Sequence, residues 1–358
     1  MSRRVRRAAE ERGRDPQVIL RRRGVRHGRF APAPRGSPSR VEARAHWVAD
    51  RALLLPGLLA PGLGAWRPEI ARTLALFEEL RRGRRTLQEE VRRRLRGRAE
   101  FSPSGAIVDL ADGRELEKVF VDGMRGKRFA ARGLYAKLSW IAHDERDASL
   151  RIRFSFGSEN ERDWQKETRR APWAERYAEA LFPECAAQAG NARLRALVER
   201  LAGRRLRFSE RIVYNNAPGG GAVFHHDCEP HQLGVVFGQL AGETAWLALP
   251  KRALARHVAE HLAAGPRASA LRRLAGTPRA ALRALDGEDP RLARLLNETP
   301  AFTARLAAAG ALFHLRAGDV LLLPNHAWDD TCWHSVFALG RRASLAHSYG
   351  LFARRRPG

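Results

Sequence analysis

The stretch Gly219-Gly-Gly-Ala-Val-Phe-His225-His-Asp227-Cys-Glu-Pro-His231 carries more chemistry than any other part of this 358-residue chain. A second dense region follows much later: Gly318-Asp-Val-Leu-Leu-Leu-Pro324, then Trp333-His334-Ser-Val336. His225 and Asp227 lie two apart, so at a strand end both side chains point to the same side. His334, arriving on a distant strand, completes a set of two imidazoles and one carboxylate. Such a facial set leaves open positions on Fe(II), although the same donors also accept Mn, Co or Zn. The glycines ahead of His225 read as a turn, because no Lys-Ser/Thr follows to make a phosphate loop.

The flanking sequence has the texture of strands. Leu150, Ile152, Phe154 and Phe156 alternate with Arg151, Arg153 and Ser155, and the two arginines either line a barrel mouth or face solvent. Leu206, Phe208, Ile212 and Tyr214 share one parity in the next strand, with Glu210 interrupting the pattern. Thr244–Leu249 and Val320–Leu323 are apolar runs, each stopped by a proline. Between them, about residues 252–309, lies an Arg/Ala/Leu-rich helical insertion. Upstream, Ile70, Leu74, Phe77 and Leu80, then Leu87, Val91 and Leu95, fall on helical faces. Further helices are expected at 173–182 and 191–201.

Taken together, these motifs resemble the Fe(II)/2-oxoglutarate-dependent oxygenases, including the JmjC-like and prolyl-hydroxylase-like hydroxylases. The order H-x-D, G-D-x4-P, W-H-x-V and R-x-S is similar to that family's own. The resemblance covers roughly 205–352 without the insertion and implies a double-stranded β-helix, a cupin-like jelly-roll barrel. It implies Fe(II) on His225, Asp227 and His334, with 2-oxoglutarate and O2 as co-substrates. The implied activity is hydroxylation of an unactivated C–H bond coupled to decarboxylation of 2-oxoglutarate to succinate and CO2.

Arg342-x-Ser344 resembles the pair that grips the distal carboxylate of 2-oxoglutarate, an arginine fork with a serine hydroxyl. Arg342 is preferred to Arg341 because it shares strand parity with Ser344, Ala346 and Ser348. Tyr214 and Thr244 are secondary candidates for the same carboxylate. Thr244 stands where JmjC-like hydroxylases often carry a lysine. An aspartate at 227 argues against halogenation, which needs that ligand position vacant.

The fold class is therefore α+β in three parts. Residues 1–46 form a basic arm read as disordered, and 47–204 a mostly helical region with a lead-in strand near 150–156. Residues 205–358 form the catalytic barrel with its insertion.

The chain carries 65 Lys and Arg against 39 Asp and Glu. Sixty of the 65 basic residues are arginines, a skew that GC-rich codons produce whatever the function. Residues 1–46 hold 14 Arg against four acids, so contact with nucleic acid or the ribosome is expected there if the arm binds anything. No apolar run is long enough to span a bilayer, and three cysteines are too few for a disulfide scaffold, so a cytoplasmic protein with no membrane contact is expected. The prime substrate is left open among protein side chains, amino acids and small metabolites.

Two rival readings remain. One is a non-catalytic cupin-like protein that binds nucleic acid or the ribosome through its arm. The other is a zinc hydrolase, because His257-Val-Ala-Glu260-His261 matches H-x-x-E-H on one helical face. Cys228 and Cys332, close to the proposed ligands, read as small buried thiols rather than as zinc ligands. His226 is expected to point away from the barrel, and His231 to sit at its mouth or to do nothing.

Overall fold

The computed structural model describes residues 17–108, 113–157, 169–265 and 269–354. Its strands are β1 (Val18–Arg22), β2 (Val25–Phe30), β3 (Leu53–Leu55), β4 (Phe101–Val108), β5 (Glu115–Arg125), β6 (Arg128–Trp140) and β7 (Leu150–Phe156). The second half adds β8 (Leu206–Asn216), β9 (Gln232–Ala241), β10 (Glu243–Pro250), β11 (Leu312–Arg316), β12 (Val320–Pro324), β13 (Cys332–Leu339) and β14 (Ser344–Ala353).

Two antiparallel sheets face each other. The larger has the order β3-β12-β9-β14-β8-β7-β6-β5-β4, and the smaller is β11-β10-β13. Residues 220–225 lie along β13 as a fourth member of the smaller sheet. Ala338 N–H donates to Gly220 O (3.0 Å), Val336 N–H to Ala222 O (2.8 Å), and His225 and His334 exchange both backbone bonds. The four-on-four pairing of β12-β9-β14-β8 over β11-β10-β13 and 220–225 is a double-stranded β-helix. The fold is α+β, as expected.

Strict alternation builds three apolar layers. On β10, Ala245, Leu247 and Leu249 pack under the insertion helices, whereas Trp246 and Ala248 face the barrel interior. On β12, Leu321 and Leu323 turn inward while Val320 and Leu322 join the layer beneath the N-terminal helices. Helices Arg67–Arg81, Leu87–Leu95, Ala171–Leu181 and Ala192–Ala202 cover that outer face, close to where periodicity puts them. The insertion is helical from Lys251–Ala263 through Pro300–Ala308.

Three expectations are corrected. Residues 101–140 are not helical: β4, β5 and β6 extend the larger sheet, with a tight Gly126-Lys127 turn joining the last two. Residues 17–46 are not a disordered arm. β1 and β2 form a hairpin whose turn residues Arg23 (φ 49) and Gly24 (φ 83) both have left-handed backbone, the geometry that matches strand twist. Helix Arg40–Val48 follows, capped reciprocally by Ser39 and Glu42. Residues 1–16 of the basic arm lie outside the described residues.

The third correction concerns β8. Glu210 adopts φ 59, and the register against β14 slips there, from Ser348↔Ile212 to Gly350↔Ser209. This bulge turns the strand over. Leu206 and Phe208 face the helices, whereas Ile212 and Tyr214 line the cavity inside the barrel mouth.

Candidate metal centre

His225 ends the 220–225 segment, Asp227 follows in the loop, and His334 sits on β13 directly opposite His225. The backbone pairing of the two histidines brings their rings to 4.2 Å between centroids. His225 Nε2 lies 3.5 Å from Asp227 Oδ1, and His334 Nε2 lies 3.6 Å from Oδ2. One ligand atom from each residue falls within 4.8 Å of the others, a spacing a single metal ion can bridge. Among the described residues this is the one such group of His, Cys, Asp and Glu.

The donor chemistry fits a metal. His225 Nδ1 lies 2.8 Å from Val223 O and His334 Nδ1 3.5 Å from Cys332 O. Each carbonyl favours the Nδ1–H tautomer, leaving the Nε2 lone pair free toward the shared centre. Burial, with the neighbouring His225, lowers the His334 imidazole to about 3, so it stays neutral and available. Burial opposes ionisation of Asp227, yet its hydrogen bond to His225 and the nearby imidazoles hold its carboxyl well below the usual range. For His225 the same burial is outweighed by Asp227, and its basicity rises.

Packing holds these groups in place. Trp246 stacks on the His334 ring at 5.2 Å and 27°, and Phe237 packs edge-on to Trp246 at 4.4 Å. The glycine turn is anchored from outside the barrel. Asp147 Oδ2 accepts the Gly221 N–H (3.1 Å) and Arg23 Nε–H (3.0 Å). Arg22 donates to Ala222 O (2.6 Å) and Ser335 Oγ (2.5 Å), tying the 220–225 segment to β13.

The remaining candidates are dispersed. Ser344 is fully buried at the start of β14, with Oγ accepting from Asn216 Nδ2 (3.3 Å). Arg342 is exposed in the turn before β14, and so is Arg341. The expected parity fails because the strand begins only at Ser344, so Arg342 lies outside its pleat. Thr244 faces the barrel, but its hydroxyl donates to Gln239 Oε1 (2.8 Å) and accepts from Trp246 Nε1 (3.0 Å). Tyr214 lines the cavity beside Asp227, together with Arg151, Arg153 and Ser348.

His226 also lines that cavity rather than turning away, packed against Trp328 (4.7 Å) and Trp333 (5.3 Å). His231 is exposed with φ 65. Cys332 is buried and Cys228 partly so, and neither joins a metal-binding group among the described residues.

Among the described residues the H-x-x-E-H helix contributes to no group of three metal-binding side chains. Glu260 is salt-bridged by Arg305 (2.6 Å), and His261 packs edge-on against Phe302. Sequence reasoning missed Trp246 as the support of His334 and Trp328 as the exposed rim. It also left Arg151 undecided between cavity and solvent. Its opposition to Tyr214 across β7 and β8 was the available signal, hidden by the bulge at Glu210.

Solved structures that resemble this chain include oxygenases. The ribosomal oxygenase YcfD from Escherichia coli matches 76% of this chain and 45% of its own, at 14% identity and TM-score 0.27. YcfD in complex with cobalt and succinic acid matches 68% and 41%, at 14% identity and TM-score 0.27. A 2OG-Fe(II) oxygenase family oxidoreductase from Burkholderia pseudomallei matches 90% and 96%, at 12% identity and TM-score 0.32. The chain thus spans less than half the length of the YcfD chains it matches. No protein-family model and no curated protein matches the sequence. Likenesses this distant carry no functional argument, so the site is read from its own residues.

Proposed function

We propose that the protein is an Fe(II)- and 2-oxoglutarate-dependent dioxygenase that hydroxylates a C–H bond of a protein side chain, amino acid or small metabolite. The observation that carries this reading is the convergence of His225, Asp227 and His334 at one mouth of a double-stranded β-helix. Bound there, Fe(II) would supply the redox chemistry that couples decarboxylation of 2-oxoglutarate by O2 to hydroxylation.

The chain's own residues do the rest. Asp227 contributes the charge that retains a divalent cation, and the two imidazoles complete one face of its coordination shell. Trp246, Phe237, Leu323 and Val336 wall the barrel behind the triad and exclude water from that side. The polar residues lie on the β7–β8 side, where a charged co-substrate can enter.

The arginines of residues 1–46 other than Arg22, Arg23, Arg35 and Arg44, which are bonded within the fold, support docking on RNA or a ribosomal surface as part of the proposal, tested by the salt dependence of binding.

The experiment is succinate formation from 2-oxoglutarate by anaerobically reconstituted Fe(II) protein, for the wild type and His334→Ala. Iron-dependent succinate that disappears in the variant is expected. Wild-type protein that neither binds 2-oxoglutarate with Fe(II) nor forms succinate would overturn the reading.

A further inference from the structure

The helical insertion reaches the metal-binding segment through Asn297, in the last turn of helix Pro290–Glu298. Its Oδ1 accepts the N–H of Phe224 at 2.7 Å, and Phe224 directly precedes His225. That N–H and the Val223 carbonyl belong to one planar peptide unit. The same carbonyl accepts from Nδ1 of His225 at 2.8 Å. Asn297 therefore grips one end of the peptide whose other end holds the imidazole. Its own amide is oriented by Nδ2, which donates to Ala293 O (2.9 Å). The Phe224 ring is buried with Leu292, Leu295 and Leu296 in the apolar layer of the insertion, so the insertion holds this residue by both ring and amide.

The N-terminal hairpin meets the same asparagine. Arg22 Nη2 donates to Asn297 O and Oδ1, both at 3.1 Å. Its Nη1 serves Ala222 O, Ser335 Oγ and, at 3.4 Å, Val336 O. One guanidinium thus spans the insertion, the segment carrying His225 and the strand carrying His334. Arg22 is buried over the Phe337 ring (4.5 Å), and every acceptor it meets is neutral. Burying a cation without a paired anion is costly, and burial lowers the Arg22 guanidinium to about 9. What such a group supplies is geometry, a planar fork with fixed donor directions.

We propose that Asn297, braced by Arg22, is a positioning residue for the metal centre: it orients the 223–224 peptide and, through the Val223 carbonyl, sets the tautomer and ring direction of His225. The insertion is then a working part of the site as well as a cover for β10. The hydrogen-bond chain from imidazole through peptide to Asn297 also polarises along its length, which makes Nε2 of His225 a better donor to a cation. The proposal rests on the metal-centre part of the oxygenase reading.

Mn(II) affinity is measured by calorimetry for wild type, Asn297→Leu, Asn297→Asp and Arg22→Lys, and the visible spectrum of each Co(II)-loaded protein is recorded. Asn297→Leu keeps the size of the side chain and removes the acceptor, so Mn(II) binding is expected to weaken about 10-fold with a shifted Co(II) spectrum. Arg22→Lys keeps the charge without the fork and should do the same. Asn297→Asp keeps an acceptor for Phe224 and should match wild type in both readouts. Leu87→Ala, a core truncation under the N-terminal helices, controls for lost stability: it should lower the urea midpoint and leave Mn(II) binding and the Co(II) spectrum unchanged. Wild-type Mn(II) affinity in Asn297→Leu or in Arg22→Lys overturns the proposal. Equal weakening in Asn297→Asp or Leu87→Ala overturns it too, because the acceptor would then not be what matters. Failure of the oxygenase reading looks different: wild type binds Mn(II) but forms no succinate, and the positioning role stands. Wild type with no Mn(II) affinity removes the metal centre and the proposal with it.

Discussion

Gly221→Ala tests how the centre is held. A methyl group there would lie 2.3 Å from Val336 O and 2.8 Å from Val336 C, both backbone atoms of β13. Ordinary contact is about 3.5 Å, so the 220–225 segment must retreat from β13 by about 1 Å. The φ of 125° is a further strain for any residue with a Cβ. Backbone strain and overpacking together suggest about 2–4 kcal/mol of lost stability. The retreat carries His225 away from His334, and a displaced ligand should weaken metal binding about 10- to 100-fold. Gly219→Ala is the control, because φ there is also positive (72°) but a methyl would meet nothing within 4 Å. It should cost only about 1–2 kcal/mol and leave metal binding intact. Urea denaturation gives the stabilities, and calorimetric titration with Mn(II) gives the affinities. Equal stability losses and equal Mn(II) affinities in the two variants would refute the idea that close packing on β13 positions His225.

Three further outcomes are expected. Burial and the Arg22 charge lower the His27 imidazole to about 4, so its neutral form is favoured in the fold. Its share of stability is complete above the unfolded value of about 6.5 and is lost as pH falls toward 4, so His27→Gln should flatten the stability–pH curve in that window. Lys251 is fully buried, and its ammonium meets Asp286 (2.7 Å), Asp329 (2.7 Å) and the Trp328 carbonyl (3.2 Å). Lys251→Met should destabilise by about 2 kcal/mol in denaturant titrations, below the full cost of a buried broken pair because both carboxylates keep some solvent. Arg342→Ala, at an exposed turn, should leave 2-oxoglutarate affinity within about twofold of wild type by calorimetry, a size expected of a surface change.

Much of the barrel was legible because its strands obey local rules. Period-two alternation in 150–156, proline stops at 250 and 324, and the H-x-D spacing are properties of short segments. The long insertion was legible because helical periodicity replaced strand texture over an unbroken stretch. Other features depended on partners that sequence does not display. The bulge at Glu210 reverses the faces of β8, so a parity argument run through it assigned Leu206 and Tyr214 to one side. Arg342 was misplaced for a related reason, since a parity argument holds only inside a strand and β14 starts two residues later. β4 was hidden by Pro103 and Gly105, and β5 by charge: Glu115, Glu117 and Lys118 look solvated, yet Glu117 is buried because it accepts the N–H groups of Leu87 and Gln88 at a helix start. The β1–β2 hairpin was masked by its arginines, although Arg22 is nearly buried through contacts with residues far along the chain.

The position of β14 bears on the order in which the molecule can assemble. This strand, the last of those described, lies in the middle of the larger sheet, hydrogen-bonded to β8 on one side and β9 on the other. During synthesis those two strands emerge well before the partner that joins them. Until Ser344–Ala353 is available, each presents an unpaired edge capable of joining another chain. Closure of the barrel is thus a late event with long sequence separation, the kind of step that slows folding. A nascent chain stopped short of β14 would expose those edges, and aggregation is the characteristic failure of such intermediates.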